Sequence, residues 1–355
     1  MERRHALWAL ALVCLMNPLA CSKTEPAAST TAAPSAALSA TLGSATPAPE
    51  AAPTPKKPIT LTVGHDLWVG YSGVFIAAEL GFFKDAGLDV KLKPFSNPGD
   101  TLPALVSGQL DIGLTTLQNL AVLNGNSETD VVAVGLVDSS NGADAVVAKK
   151  QYASLKDLKG KTVALTLGEV NHFLFLVGLK QNGLDASMFK ITSMSADDAG
   201  AAFVAGKVDA AVTWEPWVTK ASKAGGHTIF SSASVPDTIM DSVAVRKSHL
   251  RDQGPAYLSF LKAVDRGVAL IKSDPDKSTT IIGKYLSAPA EDVKGMLAGD
   301  KIYGLAENKA LFGSAAAPGP AFKSMKSVVD FSLESKLVKK APAPESLFEP
   351  SLVRQ

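Results

Sequence analysis

Past residue 58 the chain alternates short apolar runs with amphipathic stretches, the pattern of strands and helices taking turns. Strands are predicted over 59–64, 90–95, 131–137, 145–148, 162–167, 189–194, 208–213 and 242–245. Helices are predicted over 74–79, 100–107, 173–179 and 197–205, with Ser72 a candidate N-cap for the first. From Asp252 onward the pattern is helical, clearest over 257–271.

One phrase is written twice. Leu105-Val106-Ser107-Gly108-Gln109-Leu110-Asp111-Ile112-Gly113-Leu114-Thr115-Thr116 is echoed by Phe203-Val204-Ala205-Gly206-Lys207-Val208-Asp209-Ala210-Ala211-Val212-Thr213-Trp214. Each copy reads as a helix end, a glycine suited to the left-handed C-cap, and an apolar strand. Upstream, Gly81–Asp89 is echoed by Gly178–Asp185. Two strand–helix–strand–helix–strand units imply two similar α/β lobes. Ligands of open α/β sheets sit beyond the carboxyl ends of the strands, so facing lobes make a clamp.

A chain of 355 residues also exceeds what one core usually serves. Its 35 Lys and Arg nearly balance 34 Asp and Glu, and no basic stripe appears, which argues against nucleic acid as a partner. Glu2-Arg3-Arg4-His5 followed by apolar 6–16 reads as a signal peptide. Leu19-Ala20-Cys21 resembles a lipobox, with Pro18 where Leu is usual, and predicts lipidation at Cys21, the alternative being an ordinary cleavable signal that contains a cysteine. The other cysteine, Cys14, lies inside the signal core, so no disulfide is expected. Residues 22–58 are Ala-, Pro-, Thr- and Ser-rich and read as a disordered tether spanning on the order of 30 Å.

Common catalytic motifs fail on spacing. None of the five histidines is paired at metal-ligand spacing, so no metal is expected. Gly160-Lys161-Thr162 looks like the tail of a phosphate-binding loop, but Leu155 stands where glycine is needed. Gly70-Tyr71-Ser72-Gly73 is mis-spaced for a nucleophile elbow, and no nicotinamide fingerprint occurs.

Trp68-Val69-Gly70-Tyr71, Glu79-Leu80-Gly81-Phe82-Phe83, Ala86-Gly87-Leu88-Asp89-Val90 and the segments Ser107–Asp111 and Ala205–Pro216 together resemble the nitrate/sulfonate/taurine-type solute-binding proteins of ABC importers, a family that also includes binders of thiamine-pyrimidine precursors. The similarity runs in order from Ile59 to Val245. It implies a class II periplasmic binding-protein fold: two α/β lobes, two crossovers, and a ligand cleft that closes about a hinge. The expected organisation is signal 1–21, tether 22–58, lobe one 59–140, lobe two 141–241, and 242–355 returning to lobe one. The implied partners are a small-molecule ligand, a permease with its ATPase, and the membrane through the lipid anchor; no cofactor is implied.

Candidate ligand-binding residues lie at strand ends and helix starts. Trp68 and Tyr71 follow the first strand and either line the cleft or cap the core. Thr115 and Thr116 end the first repeated strand and offer hydroxyls, though threonine is also a plain strand residue. Glu169, Asn171 and His172 begin a second-lobe helix, whose N-terminus suits an anion, or else they serve the backbone as caps. Trp214 and Glu215 occupy the mirror position of Thr115-Thr116. Asp138 closes a strand by the hinge and either pairs with a ligand amine or caps the turn.

The acidic candidates Asp66, Asp138, Glu169 and Glu215 have no Lys or Arg beside them in this set. Unpaired buried carboxylates cost several kcal/mol, so a zwitterion or nitrogen-bearing solute suits such a cleft better than a bare anion. The expected function is an extracytoplasmic solute-binding lipoprotein of an ABC importer, without catalysis, that captures a small organic sulfonate, zwitterion or nitrogen-containing solute and delivers it to the permease. The alternatives are an enzyme on the same fold and a sensor that binds without transport.

Overall fold

The computed structural model describes residues 57–355. The predicted signal peptide, Cys21 and the tether up to residue 56 lie outside the described residues.

Eleven strands are described: β1 (Ile59–His65), β2 (Leu88–Pro94), β3 (Ile112–Thr116), β4 (Val131–Ser140), β5 (Asp144–Lys149), β6 (Thr162–Leu165), β7 (Lys190–Ser193), β8 (Ala210–Trp214), β9 (Gly226–Ser231), β10 (Met240–Arg246) and β11 (Asp300–Ile302). They form two sheets, ordered β2–β1–β3–β10–β4–β11 and β7–β6–β8–β5–β9. In the first, β1 pairs in parallel with β2 and β3, and β10 runs antiparallel between β3 and β4. The second repeats this arrangement: β6 pairs in parallel with β7 and β8, and β5 runs antiparallel between β8 and β9. The strand that crosses between sheets is therefore a central strand in both.

That exchange explains the burial. β4, β5 and β10 carry almost no exposed residue because both faces of each central strand are covered. β4 passes into β5 through residues 141–143, and β9 returns to β10 through 232–239. The two crossovers are tied together: the Ser140 and Ser232 hydroxyls lie 2.8 Å apart, and the Gly142 N–H donates to Ser232 Oγ at 2.7 Å.

The C-terminal helices pack on the first sheet's layer. Helix Leu250–Ser273 stacks Phe260 on Phe83 (centroids 5.0 Å apart) and crosses helix Ser72–Glu79 at Gly267. A Cβ at Gly267 would sit 2.2 Å from the Gly73 carbonyl oxygen, so only glycine permits this crossing.

One local expectation is corrected, and three elements add to those predicted. Ser72 lies inside its helix and donates to the Val69 carbonyl, so it is not the cap. The helix Leu117–Asn126 and the strands β9 and β11 were not foreseen. β11 has only three residues and gains its pairing from β4, too little for a local pattern to reveal. Among the described residues, no helix is long and apolar enough to cross a membrane.

Candidate functional site

The carboxyl ends of β1, β3, β6 and β8 face a common cleft. At its base is a nearly closed cavity of about 10 Å³, lined by Asp66, Trp68, Pro98, Thr116, Asp144, Val170, Trp214, Ile239 and Asp241. At that size it has room for about one water molecule, so a solute enters only when the walls move apart. A larger groove runs along residues 124–129 and 339–343, but it lies away from these strand ends and does not share their converging carboxylates.

The turn after β1 builds one wall. Trp68 is buried, and its Nε1 donates to Asp138 Oδ2 at 2.6 Å. A Cβ on Gly70 would lie 1.4 Å from the same Asp138 oxygen, so glycine there admits the β4 carboxylate under the turn. Tyr71, fully buried, donates its hydroxyl to Asp241 Oδ1 at 2.6 Å. The Asp241 N–H in turn donates to Asp138 Oδ1 at 3.2 Å.

The opposite wall comes from β8 and the hinge. Trp214 is 3% exposed, and its Nε1 has no partner. Asp144, at the start of β5, has Oδ2 without a donor, and Asp66 has Oδ1 without one. No Lys, Arg or His belongs to the lining.

Burial dominates the titration of these acids. It pushes Asp144 up to about 7, reinforced by Asp241 and Glu215. It lifts Asp241 to about 6, against hydrogen bonds from Tyr71 and Asp138 that pull the other way. Asp66 and Asp138 are held well above the ordinary carboxylate range, by burial first and neighbouring acids second. No group of three or more His, Cys, Asp or Glu among the described residues has metal-holding geometry.

Of the ten residues singled out from sequence, Trp68, Thr116 and Trp214 line this cavity, while Tyr71 and Asp138 stand directly behind it. The other five are not part of its lining. Thr115 is buried in β3, away from the lining, with its hydroxyl unpartnered. Asn171 is occupied, donating to the Val212 carbonyl at 3.2 Å and to Thr166 Oγ1 at 3.3 Å. His172 Nδ1 accepts from the Gly168 N–H at 3.2 Å, and burial lowers its pKa. Glu215 accepts from the Thr219 N–H and hydroxyl, both at 2.9 Å, which satisfies the first turn of helix Trp217–Lys223.

Glu169 bridges the cleft mouth. Its carboxylate accepts from Asn119 Nδ2 at 2.6 Å and from the Gly99 N–H at 3.3 Å, joining the start of helix Val170–Gln181 to elements of the first sheet. Gln118 Nε2 donates to the Gly168 carbonyl beside it.

Sequence reasoning counted Asp66 among the cleft acids and missed Asp144 and Asp241. Asp144 opens β5 and Asp241 is the second residue of β10, and the only available signal was an aspartate near the start of an otherwise apolar run. Such a residue reads equally well as a turn cap.

The two exchanged sheets and the cleft between their strand ends define a periplasmic binding-protein fold, a device for enclosing a small solute. The chain belongs to the NMT1/THI5-like family, whose profile matches residues 68–278. It is 25% identical over 233 residues to the taurine-binding periplasmic protein of Escherichia coli (strain K12), covering 63% of this chain and 72% of that one. It is 25% identical over 215 residues to the formylaminopyrimidine-binding protein of Halalkalibacterium halodurans, covering 59% and 64%. The crystal structure of the periplasmic aliphatic sulphonate binding protein from Escherichia coli superposes with a TM-score of 0.67 at 22% identity, covering 84% of this chain and all of that one. These similarities support a solute-binding role.

Proposed function

We propose that this chain is the extracytoplasmic binding component of an ABC importer and that its solute carries positive charge on nitrogen. One observation carries the choice of solute: Asp66, Asp144 and Asp241 share a small cavity with two tryptophans and with no basic side chain. A sulfonate or nitrate in that space would meet three carboxylates, and among the lining side chains the one N–H left without a partner is Trp214 Nε1. An ammonium, guanidinium or protonated aminoheterocycle would instead donate to the unpartnered oxygens and lie against the indoles.

In this reading the lobes over 59–140 and 141–241 close on the solute about the crossovers, and 242–355 braces the first lobe. Cys21 carries the lipid that keeps the body near its permease. Catalysis is not part of the reading, and a sensor would use the same cleft.

The test is a melting-temperature screen with amines, guanidines and aminopyrimidines against alkanesulfonates, nitrate and the zwitterion taurine, since a bound solute stabilises by RT ln(1 + [L]/Kd). Cations are expected to raise the melting temperature and simple sulfonates to leave it unchanged. Stabilisation by methanesulfonate, with none by any cation, overturns the assignment.

A further inference from the structure

Five aspartates from five segments meet at the hinge: Asp66 after β1, Asp138 in β4, Asp144 opening β5, Asp241 in β10 and Asp300 opening β11. All are at most 8% exposed. Asp241 is central, since the other four each feel its charge. The side-chain donors they receive are few: Trp68 Nε1 to Asp138 and the Tyr71 hydroxyl to Asp241. Asp66 Oδ1, Asp144 Oδ2 and both Asp300 oxygens have none.

The surroundings supply no compensating charge. His65, beside Asp66, is turned toward a backbone carbonyl, and burial lowers its pKa. Tyr71 and Tyr303 are kept protonated by burial and by these acids, Tyr303 up to about 12. Glu215, Glu169 and Asp197 add only further carboxylates. Lys301, adjacent to Asp300, is exposed and pairs with Asp237 at 3.3 Å. Among the described residues, no Lys or Arg forms an ion pair with any of the five.

A buried cluster of this kind, with so few donors, does not carry five negative charges. Each unpaired carboxylate costs several kcal/mol to bury, and a proton is the one cation always at hand. The cavity therefore holds exchangeable protons before it holds a solute. Two unpartnered acceptors and one unpartnered donor, Trp214 Nε1, line it and await a ligand with complementary groups.

Building on the reading above, we propose that capture is an exchange of cation for proton: the entering solute displaces a proton from the Asp66, Asp144 and Asp241 group, and that proton leaves to solvent. The balance is a carboxylic acid plus an ammonium or guanidinium giving a carboxylate–cation pair and one proton released. No bond of the solute changes. Capture would then strengthen with pH by up to about tenfold per unit for each proton released, over a range reaching to about 7.

Methylguanidinium is a suitable probe, because its own charge is constant between about pH 5 and 8. Titration calorimetry of the full chain at pH 6.5 in two buffers of different ionisation enthalpy counts the protons released; about one per cation is expected. The Kd is expected to fall several-fold from pH 6 to pH 7. Asp144→Asn, with folding checked by circular dichroism, is expected to release fewer protons. Binding with no proton release and a Kd flat across this range overturns the exchange while leaving a cation-binding cleft intact. Absence of binding by every cation of the screen overturns the cation assignment and the exchange with it.

Discussion

The two copies of the repeated phrase adopt the same structure up to their last residues and then part. In each, a glycine at positive φ (81° at Gly108, 72° at Gly206) ends a helix. In each, an aspartate ties the following strand to its neighbour: Asp111 accepts from the Thr62 N–H at 2.8 Å, and Asp209 from the Thr162 N–H at 3.1 Å. Their own amides return bonds to the Thr62 and Thr162 carbonyls.

The difference lies in what satisfies the next helix. Thr116 Oγ1 accepts from the Asn119 N–H at 3.1 Å and so caps helix Leu117–Asn126. In the second copy that duty falls to Glu215, one position later, and Trp214 is left free to face the cavity with an unpartnered N–H. A repeat thus keeps its scaffold bonds and diverges at the strand end: both end residues line the cavity, but Thr116 also caps its helix, whereas the one-residue shift of the capping group to Glu215 leaves Trp214 free of that duty.

The contrast between scaffold and cleft aspartates predicts the largest effect. Burial raises Asp144 to about 7, above the usual value near 4, so the folded state binds its proton more tightly than the unfolded chain does. The associated stability is fully present below about pH 4 and is lost as pH rises through about 7. Asp144→Asn removes that loss, so the ligand-free variant should be more stable than wild type by roughly 4 kcal/mol at pH 8 and by about 1 kcal/mol at pH 5, and should lose the advantage below about pH 4. Melting curves across pH check this. An offset that does not change with pH would mean that Asp144 does not titrate in this window.

Next in size is the divergent strand end. Trp214→Ala should weaken cation binding about thirtyfold, equivalent to about 2 kcal/mol for a buried aromatic anchor. Thr116→Ala should instead cost about 1 kcal/mol of stability through its cap, with a much smaller change in affinity. Calorimetry and melting curves on both variants separate the roles. Equal losses of affinity would erase the distinction drawn here.

The smallest effect belongs to the shared scaffold. Asp111→Asn and Asp209→Asn should each destabilise by about 1 kcal/mol, a typical net hydrogen-bond contribution, and leave cation affinity unchanged. Asp209 has the opposite pH sign from Asp144. Burial raises its pKa, but the Thr162 N–H, Lys149 and Tyr152 together lower it further. Its contribution is therefore present above about pH 4 and lost on acidification, at reduced size because the side chain is partly exposed. Denaturant melts at pH 3 and pH 7 measure that sign.

The amino-acid sequence by itself determined the repeated β–α–β–α–β units, the glycine-ended helices and the amphipathic C-terminal helices. These follow from residues close together in the chain, through apolar periodicity and backbone conformation. It also placed Trp68, Thr116 and Trp214 at strand ends, where an α/β cleft must lie. Only the tertiary structure decided which acids face the cavity. Asp144 and Asp241 reach it because each sheet borrows its central strand from the other crossover, and Asp300 arrives on a three-residue strand defined by its pairing with β4. Glu215 and Asn171 looked equally available in sequence, yet their side chains are consumed by the Thr219 and Val212 backbone groups. A carboxylate's role depends on whether a donor reaches it first, and donors from distant segments are brought within reach only when the chain folds.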